Sequence, residues 1–210
     1  MYAKGEAVPQ DFTKAARWYR HAAAQGDAGG QYLLGKLYED GKGVPQDLTE
    51  AVRLYRLAAD QRNARGQCLL GWMYEDGTGV PRDFAEAVRL YGLAAAQGDP
   101  GGQCNLGLVY YTGTGVPQDL TEAARLFKLA YNQGHRPAVG LLRMIAAQYP
   151  AGTRVRIAGL TTNAHLNGRL GTVKSTTPLT AGRIAVRIDG QTKNVSLSWA
   201  NVGRVGATPR

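Results

Sequence analysis

The fold of this chain is decided by the stretch LGKLYEDGKGVPQD at residues 34–47, because the same pattern returns twice at a constant spacing of 36 residues. The second copy is LGWMYEDGTGVPRD at residues 70–83, and the third is LGLVYYTGTGVPQD at residues 106–119. The copies superpose without a gap as three full repeats, 31–66, 67–102 and 103–138. A period in the thirties is typical of a solenoid built from stacked helical repeats.

Each repeat carries the signals of a first helix and its end. In the first copy, Leu34, Leu37 and Tyr38 lie at the spacing that places side chains on one helical face. Gly41 and Pro45 then predict the end of that helix, since glycine adopts the left-handed cap conformation and proline cannot continue a helix.

A second helix follows in every copy. It begins at Asp47, and Glu50 three residues later resembles a capping box with Asp in the Ser/Thr place. Each repeat is therefore predicted to be a helix hairpin, and small residues such as Gly35 would let the helices approach closely in a stacked array.

The register extends in front of the three full repeats. Gly5 and Pro9 lie 36 residues before Gly41 and Pro45, so Met1 falls in the middle of a partial first repeat. We expect a longer array whose true N-terminus is absent, with a number of preceding repeats that the sequence does not give.

Four in-register copies of Gly-x-x-Val-Pro-x-Asp, three of them preceded by Leu-Gly-x-x-Tyr, resemble the Sel-one-like (Sel1-like) repeat family, a relative of the tetratricopeptide repeat. The resemblance covers about residues 1–147. It implies a mainly α fold, a right-handed superhelix of antiparallel helix pairs, and a non-enzymatic adaptor or scaffold that binds protein partners. Some bacterial relatives carry two cysteines within one repeat and are linked to penicillin binding. Here each repeat has at most one cysteine, which argues against a hydrolase of that kind.

Positions that change between copies at a fixed register predict where a partner binds. Positions 32, 36 and 39 of the first helix share a face by their i, i+4, i+7 spacing, and the resemblance implies that the first helices line the concave surface. The predicted protein-binding residues are Tyr32, Lys36, Glu39, Cys68, Trp72, Glu75, Leu108 and Tyr111. Trp72 is the predicted anchor, because exposed aromatic residues often dominate interfaces. The alternative is that Trp72 fills a packing gap between repeats.

No catalytic residue, cofactor or metal site is predicted. The three histidines have no Cys or acid at metal-ligand spacing, and no nucleophile motif or phosphate loop is present. Cys68 and Cys104 are repeat-equivalent, and stacked equivalents lie about 8 to 10 Å apart, too far for a disulfide. Free thiols favour the cytoplasm without fixing the compartment. No apolar run reaches the roughly 20 residues of a membrane span.

The excess positive charge lies in the last sixty residues. Residues 151–210 contain nine lysines and arginines against one acid, Asp189, a net charge of +8, whereas residues 1–150 carry +1. This asymmetry predicts a repeat domain, 1–149, that ends in a closing helix at about 137–148, and a basic domain, 150–210. A basic domain favours an acidic partner, either nucleic acid or an acidic protein surface.

Residues 150–210 are predicted to form a small all-β barrel. Five short β-rich runs span 154–158, 169–175, 183–188, 193–197 and 202–205. The glycine spacing within residues 152–173 resembles the KOW-type motif, and residues 198–201 resemble the one-turn helix of Src-homology-3-like barrels. The resemblance leaves RNA binding, peptide binding and a purely structural attachment open.

An RNA-associated adaptor is the alternative function. Its predicted nucleic-acid or acidic-partner contacts are Arg154, Arg156, Arg169, Lys174, Arg183, Arg187, Lys193 and Trp199. In this hypothesis the basic side chains contact phosphates and the tryptophan stacks on bases. The competing interpretation is that alternating arginines solvate the outer face of the barrel.

Overall fold

A computed structural model of the 210-residue chain describes residues 11–147, 149–158, 160–176, 183–198 and 202–205. The chain forms two compact units, Met1–Asn105 and Leu106–Arg210. The domain boundary near residue 150 that charge and periodicity indicate stays a prediction.

The described part of the chain forms helix hairpins followed by a β-sheet, which confirms a mainly helical repeat protein. The helices are α1 (Phe12–Ala24), α2 (Ala28–Asp40), α3 (Leu48–Asp60), α4 (Ala64–Asp76), α5 (Phe84–Ala96), α6 (Pro100–Thr112), α7 (Leu120–Asn132) and α8 (Pro137–Ala147). Helices α2, α4 and α6 are the first helices of the three full repeats, and α3, α5 and α7 are the second helices. The right-handed sense of the superhelix stays a prediction.

The second helices begin at aspartate caps, as the sequence predicts. The Asp47 carboxylate accepts a 2.9 Å hydrogen bond from the Glu50 backbone amide, and Asp83 accepts one of 3.0 Å from Glu86. The capping box is only half formed, because the Glu50 side chain does not turn back to the cap. It accepts two 2.7 Å hydrogen bonds from Arg53, whose fork of donors matches a carboxylate.

The glycine of each Leu-Gly pair lies where two helices touch. A Cβ atom added at Gly35 would lie 2.8 Å from the Tyr55 ring, and one added at Gly71 would lie 2.8 Å from the Tyr91 ring. Both rings are fully buried. Glycine is therefore required here by the close approach of first and second helices within one hairpin, since a real side chain does not tolerate so short a contact.

The C-terminal sheet has five antiparallel strands in the order β4-β3-β2-β1-β5. They are β1 (Arg154–Ile157), β2 (Leu170–Thr176), β3 (Arg183–Ile188), β4 (Asn194–Ser198) and β5 (Val202–Arg204). All five match the β-rich runs of the sequence to within one residue. Inward-facing side chains such as Val155, Ile157 and Val186 are fully buried, whereas Arg154 and Arg156 alternate outward.

The predicted barrel is not confirmed, because this sheet is open. Closure requires the two edge strands to pair. Among the described residues, β4 pairs with β3 alone and β5 with β1 alone, so β4 and β5 remain at opposite edges. Trp199 and most of the expected one-turn helix at 198–201 lie outside the described residues.

Candidate protein-binding surfaces

Trp72 lies on the surface of α4 and is 39% exposed. The equivalent residues Lys36 on α2 and Leu108 on α6 are half-buried. The next residue in the chain, Met73, is fully buried, so α4 is anchored by one face while the indole remains on the other. Trp72 as a binding anchor and Trp72 as the filler of a packing gap between repeats both stay predictions, since the residue is partly exposed and partly packed.

The six predicted residues of the first unit lie on two neighbouring helices. Tyr32, Lys36 and Glu39 are half-buried on α2, and α2 touches α4, which carries Cys68, Trp72 and Glu75. Leu108 and Tyr111, both half-buried, lie on the part of α6 that belongs to the second unit.

Glu39 and Glu75 each accept a hydrogen bond from a tyrosine of their own hairpin. The Tyr55 phenol donates a 2.5 Å hydrogen bond to Glu39, and the Tyr91 phenol donates one of 2.6 Å to Glu75. The pKa of both tyrosines lies well above the ordinary value. Burial of the phenol is the larger cause, and the hydrogen bond to the glutamate is the second. The two carboxylates therefore tie first helices to second helices.

Lys36 also has internal partners. Its ammonium lies 2.8 Å from the Glu39 carboxylate and 3.1 Å from that of Asp40. Burial opposes the charged form of Lys36, but hydrogen bonds to both carboxylates outweigh burial and raise its pKa. Lys42, 2.9 Å from Asp40, adds a second positive charge, so a partner at this position would meet two lysines balanced by two carboxylates.

Cys68 is removed from the surface. Its side chain is 5% exposed, and the repeat-equivalent Cys104 is 4% exposed. Both are free thiols. Burial raises the pKa of Cys68 to about 12 and that of Cys104 to about 11, so both remain protonated at neutral pH.

The structure shows exposed leucines on the second helices that the sequence analysis missed. Leu57, Leu93 and Leu129 recur every 36 residues on the second helices, and each is about two-fifths exposed. Their regular recurrence is typical of core residues, so the sequence carries no signal of their exposure. Trp18 on α1 is 63% exposed, although the leucines at its equivalent positions on α3, α5 and α7 are buried.

Several basic side chains of the sheet form hydrogen bonds or ion pairs with other residues of the C-terminal region. Arg154 forms a bidentate ion pair with Asp189 at 2.5 and 2.7 Å, and this contact lowers the pKa of Asp189. Arg169 donates to the Asp189 carbonyl, and Arg156 donates to the Gly168 carbonyl.

Further along the same sheet, Arg187 donates to the Asn194 side chain at 3.1 Å. Lys174 and Lys193 are exposed, with no hydrogen bond or ion pair to any other described residue. Trp199 and the side chain of Arg183 lie outside the described residues.

Two further features of the described ranges concern membranes and metals. None of the helices there has the length and apolar character that a bilayer span requires. Within the same ranges, no group of three or more His, Cys, Asp and Glu side chains is arranged to hold a metal ion.

The repeat pattern matches a known family model. The Sel1 repeat matches four consecutive segments, residues 1–27, 28–63, 64–99 and 100–135. These segments have the 36-residue period of the sequence pattern, with each repeat beginning three residues earlier than in the 31–66 register.

Solved structures show the same similarity. The crystal structure of a Sel1 repeat protein from Oxalobacter formigenes is 34% identical, with a TM-score of 0.61 over 70% of this chain and 58% of that chain. Helicobacter pylori cysteine rich protein B is 27% identical, with a TM-score of 0.50 over 65% of this chain and 98% of that one.

A protective antigen of uropathogenic Escherichia coli with an SLR fold is 34% identical, with a TM-score of 0.45 over 70% of this chain and 39% of that one. The chain thus spans less than two thirds of the Oxalobacter formigenes and Escherichia coli proteins. No match was found among curated proteins.

Proposed function

Because the chain belongs to the Sel1 repeat family, whose members are typically protein-interaction scaffolds, we propose that it is an adaptor that binds a protein partner through the first-helix surface around Trp72. This surface comprises Tyr32 and Lys36 on α2 and Trp72 on α4, all in the first unit. Leu108 and Tyr111 are the repeat-equivalent residues on α6 and are to be tested separately. The proposal includes the concave arrangement of first helices that the family implies. The fold is typical of non-enzymatic scaffolds.

The exposure of Trp72 is the observation that carries the proposal. A tryptophan that is 39% exposed buries a large apolar area when a partner covers it. Such residues are often the ones whose truncation costs most binding energy. The other two copies place Lys36 and Leu108 at this position, so the aromatic anchor is specific to one repeat.

The hairpin that carries Trp72 is also held in place before binding. Glu75, one helical turn away on α4, accepts the phenol hydrogen bond of Tyr91 on α5. A surface that is already ordered loses less conformational entropy when it binds. The Glu75–Tyr91 contact thus supports recognition without touching the partner.

The experiment is affinity capture of the full chain from lysate with nuclease present, with partners quantified by mass spectrometry. The Trp72→Ala variant is expected to capture at least about tenfold less of a defined partner than the natural chain, as for the loss of an interface hot spot. The matched control is Trp18→Ala, which removes a more exposed tryptophan outside the proposed surface. Equal loss in both variants, or no loss with Trp72→Ala, contradicts the proposal.

The second candidate function is binding of RNA by the sheet. It is favoured by one observation, the exposed lysines Lys174 and Lys193, which make no hydrogen bond or ion pair with another described residue. A titration of the full chain with a single-stranded oligonucleotide at two salt concentrations tests it, because phosphate contacts weaken steeply with salt. Absent or salt-independent binding removes this candidate.

A further inference from the structure

A groove lies on the second helices of the first unit. It runs between α3 and α5 above α4 and has a volume of about 400 Å³. Buried leucines Leu70 and Leu90 form part of its lining, and the exposed Leu93 stands at its rim. We call it the α3–α5 groove. It is distinct from the Trp72 surface, to which it contributes no residue.

The α3–α5 groove carries basic side chains with unused donors. Arg56 donates a 2.9 Å hydrogen bond to the Tyr74 phenol oxygen. The Arg62 guanidinium has no hydrogen bond or ion pair with any other described residue. Among the described residues, Arg89 is the one of the three groove arginines with a carboxylate hydrogen-bond partner, the bidentate Glu86. The charge of Arg56 also contributes to lowering the pKa of Glu86, after the larger effect of Arg89. The guanidiniums of Arg56 and Arg62 can therefore donate hydrogen bonds to an anionic group of a binding partner.

Arg62 has a backbone conformation that an arginine rarely adopts. Its φ is +62°, and the equivalent residues Gly26, Gly98 and Gly134 all have positive φ as well. The left-handed conformation is required because the amides of residues 62 and 63 cap the end of α3. Glycine adopts it freely, whereas an L side chain is strained there. Strain of this kind is concentrated at functional sites.

Comparison between repeats shows that this groove is unusual within the chain. At the equivalent positions 36 residues later, Arg56, Asp60 and Arg62 are replaced by Gly92, Ala96 and Gly98. The repeat before has Ala24 and Gly26 in place of Asp60 and Arg62. Arg20 and Lys128 stand at the position of Arg56 in the other two copies. The uncharged copy at residues 92–98 nevertheless shows that the hairpin does not need these charges to form. They are therefore available for recognition at one groove.

We propose that the α3–α5 groove binds an acidic segment of a protein partner, with a carboxylate side chain held by Arg56 and Arg62 and an adjacent apolar side chain against Leu93. Three guanidiniums and the two carboxylates of Asp60 and Glu86 leave the groove with a net charge of +1. This charge suits a single carboxylate better than the continuous charge of a nucleic-acid strand. The leucines provide the apolar contact that a peptide side chain needs.

A selection of displayed random 12-residue peptides on the full chain tests the proposal. Peptides that bind the natural sequence are expected to be enriched in Asp or Glu next to a large apolar residue. Synthetic copies of them should bind Arg62→Gly and Arg56→Gln at least about tenfold more weakly, because each variant removes a charge-assisted hydrogen bond. Arg20→Gln is the matched control, since Arg20 makes the equivalent contact with Tyr38 outside the groove.

The control variants separate binding from folding and from the Trp72 surface. Arg62→Gly should melt at a higher temperature than the natural chain, so its weaker binding cannot come from unfolding. Trp72→Ala should bind the peptides normally. Selected peptides without acidic residues, or equal affinity for Arg62→Gly, overturn the proposal.

Discussion

The Tyr91 phenol donates a 2.6 Å hydrogen bond to the Glu75 carboxylate and so joins the second helix of one hairpin to the first. Tyr55 and Glu39 make the same contact in the preceding repeat. In the third copy Phe127 stands in place of the tyrosine, and the acid has changed as well, to Tyr111. In the three full repeats donor and acceptor are thus present together or absent together, whereas the partial first repeat has Tyr19 at the donor position and Ala3 at the acceptor position.

Removing the Tyr91 hydroxyl alone should destabilise the first unit. Tyr91→Phe leaves the half-buried Glu75 carboxylate without its phenol donor, and loss of a hydrogen bond to a charged group costs about 2 kcal/mol. Urea denaturation followed by circular dichroism measures the change. The double variant Glu75→Tyr with Tyr91→Phe reproduces the third repeat and should recover most of the lost stability. If the two substitutions were simply additive, the coupling would be refuted.

Filling the contact between the two helices should also be costly. Gly71→Ala places a Cβ atom 2.8 Å from the Tyr91 ring, which is fully buried and has no room to move. Overpacking of this kind costs about 1 to 3 kcal/mol in the free energy of unfolding.

Gly92→Ala on α5 is the control for the overpacking prediction. No atom lies within 4 Å of its added Cβ, and alanine favours a helix by about 1 kcal/mol over glycine. The two substitutions should therefore change the urea midpoint in opposite directions. A shared direction would mean that helix propensity, and not the Tyr91 contact, decides the cost.

The helix hairpins could be predicted from sequence because their signals are local. The cap at Asp47, the glycine at Gly41 and the proline at Pro45 act within one turn of the chain, and the period repeats them. Closure of the sheet depends on pairing between β4 and β5, which no local signal specifies. This difference explains why the strands were predicted while the barrel was not confirmed.

The candidate surface was harder to predict, because variation between repeats has two causes. Position 39 varies between Glu39 and Tyr111, but the structure links this change to the one between Tyr55 and Phe127. Such paired variation is internal and can be found by comparing two positions together. Leu57 shows that an unvarying position can also mislead. A leucine recurs at this position in every full repeat, as a core residue would, and Leu57 is nevertheless exposed.

The buried thiols should react slowly and only at high pH. Burial raises the pKa of Cys68 to about 12 and that of Cys104 to about 11, so the thiolate fraction at pH 8 is smaller than in the unfolded chain. Alkylation by iodoacetamide, followed by intact mass, should be slow at pH 8 in buffer and rapid in concentrated urea. Equal rates in the two conditions would show that the thiols are accessible and unperturbed.

The strain at Arg62 predicts a gain of stability on substitution by glycine. The φ of +62° disfavours an L side chain by about 1 to 2 kcal/mol, and the greater freedom of glycine in the unfolded chain offsets part of the gain. Arg62→Gly should therefore raise the free energy of unfolding by about 0.5 to 1 kcal/mol.

The reverse substitution, Gly98→Arg, isolates the backbone contribution. Gly98 has a φ of +83° and no atom within 4 Å of an added Cβ, so the arginine meets open space and only the left-handed backbone opposes it. It should lower the free energy of unfolding by a similar amount, measured by urea denaturation beside Arg62→Gly. If Arg62→Gly were destabilising while Gly98→Arg behaved as expected, the Arg62 side chain would be stabilising the fold, and its strain would no longer indicate a role in recognition.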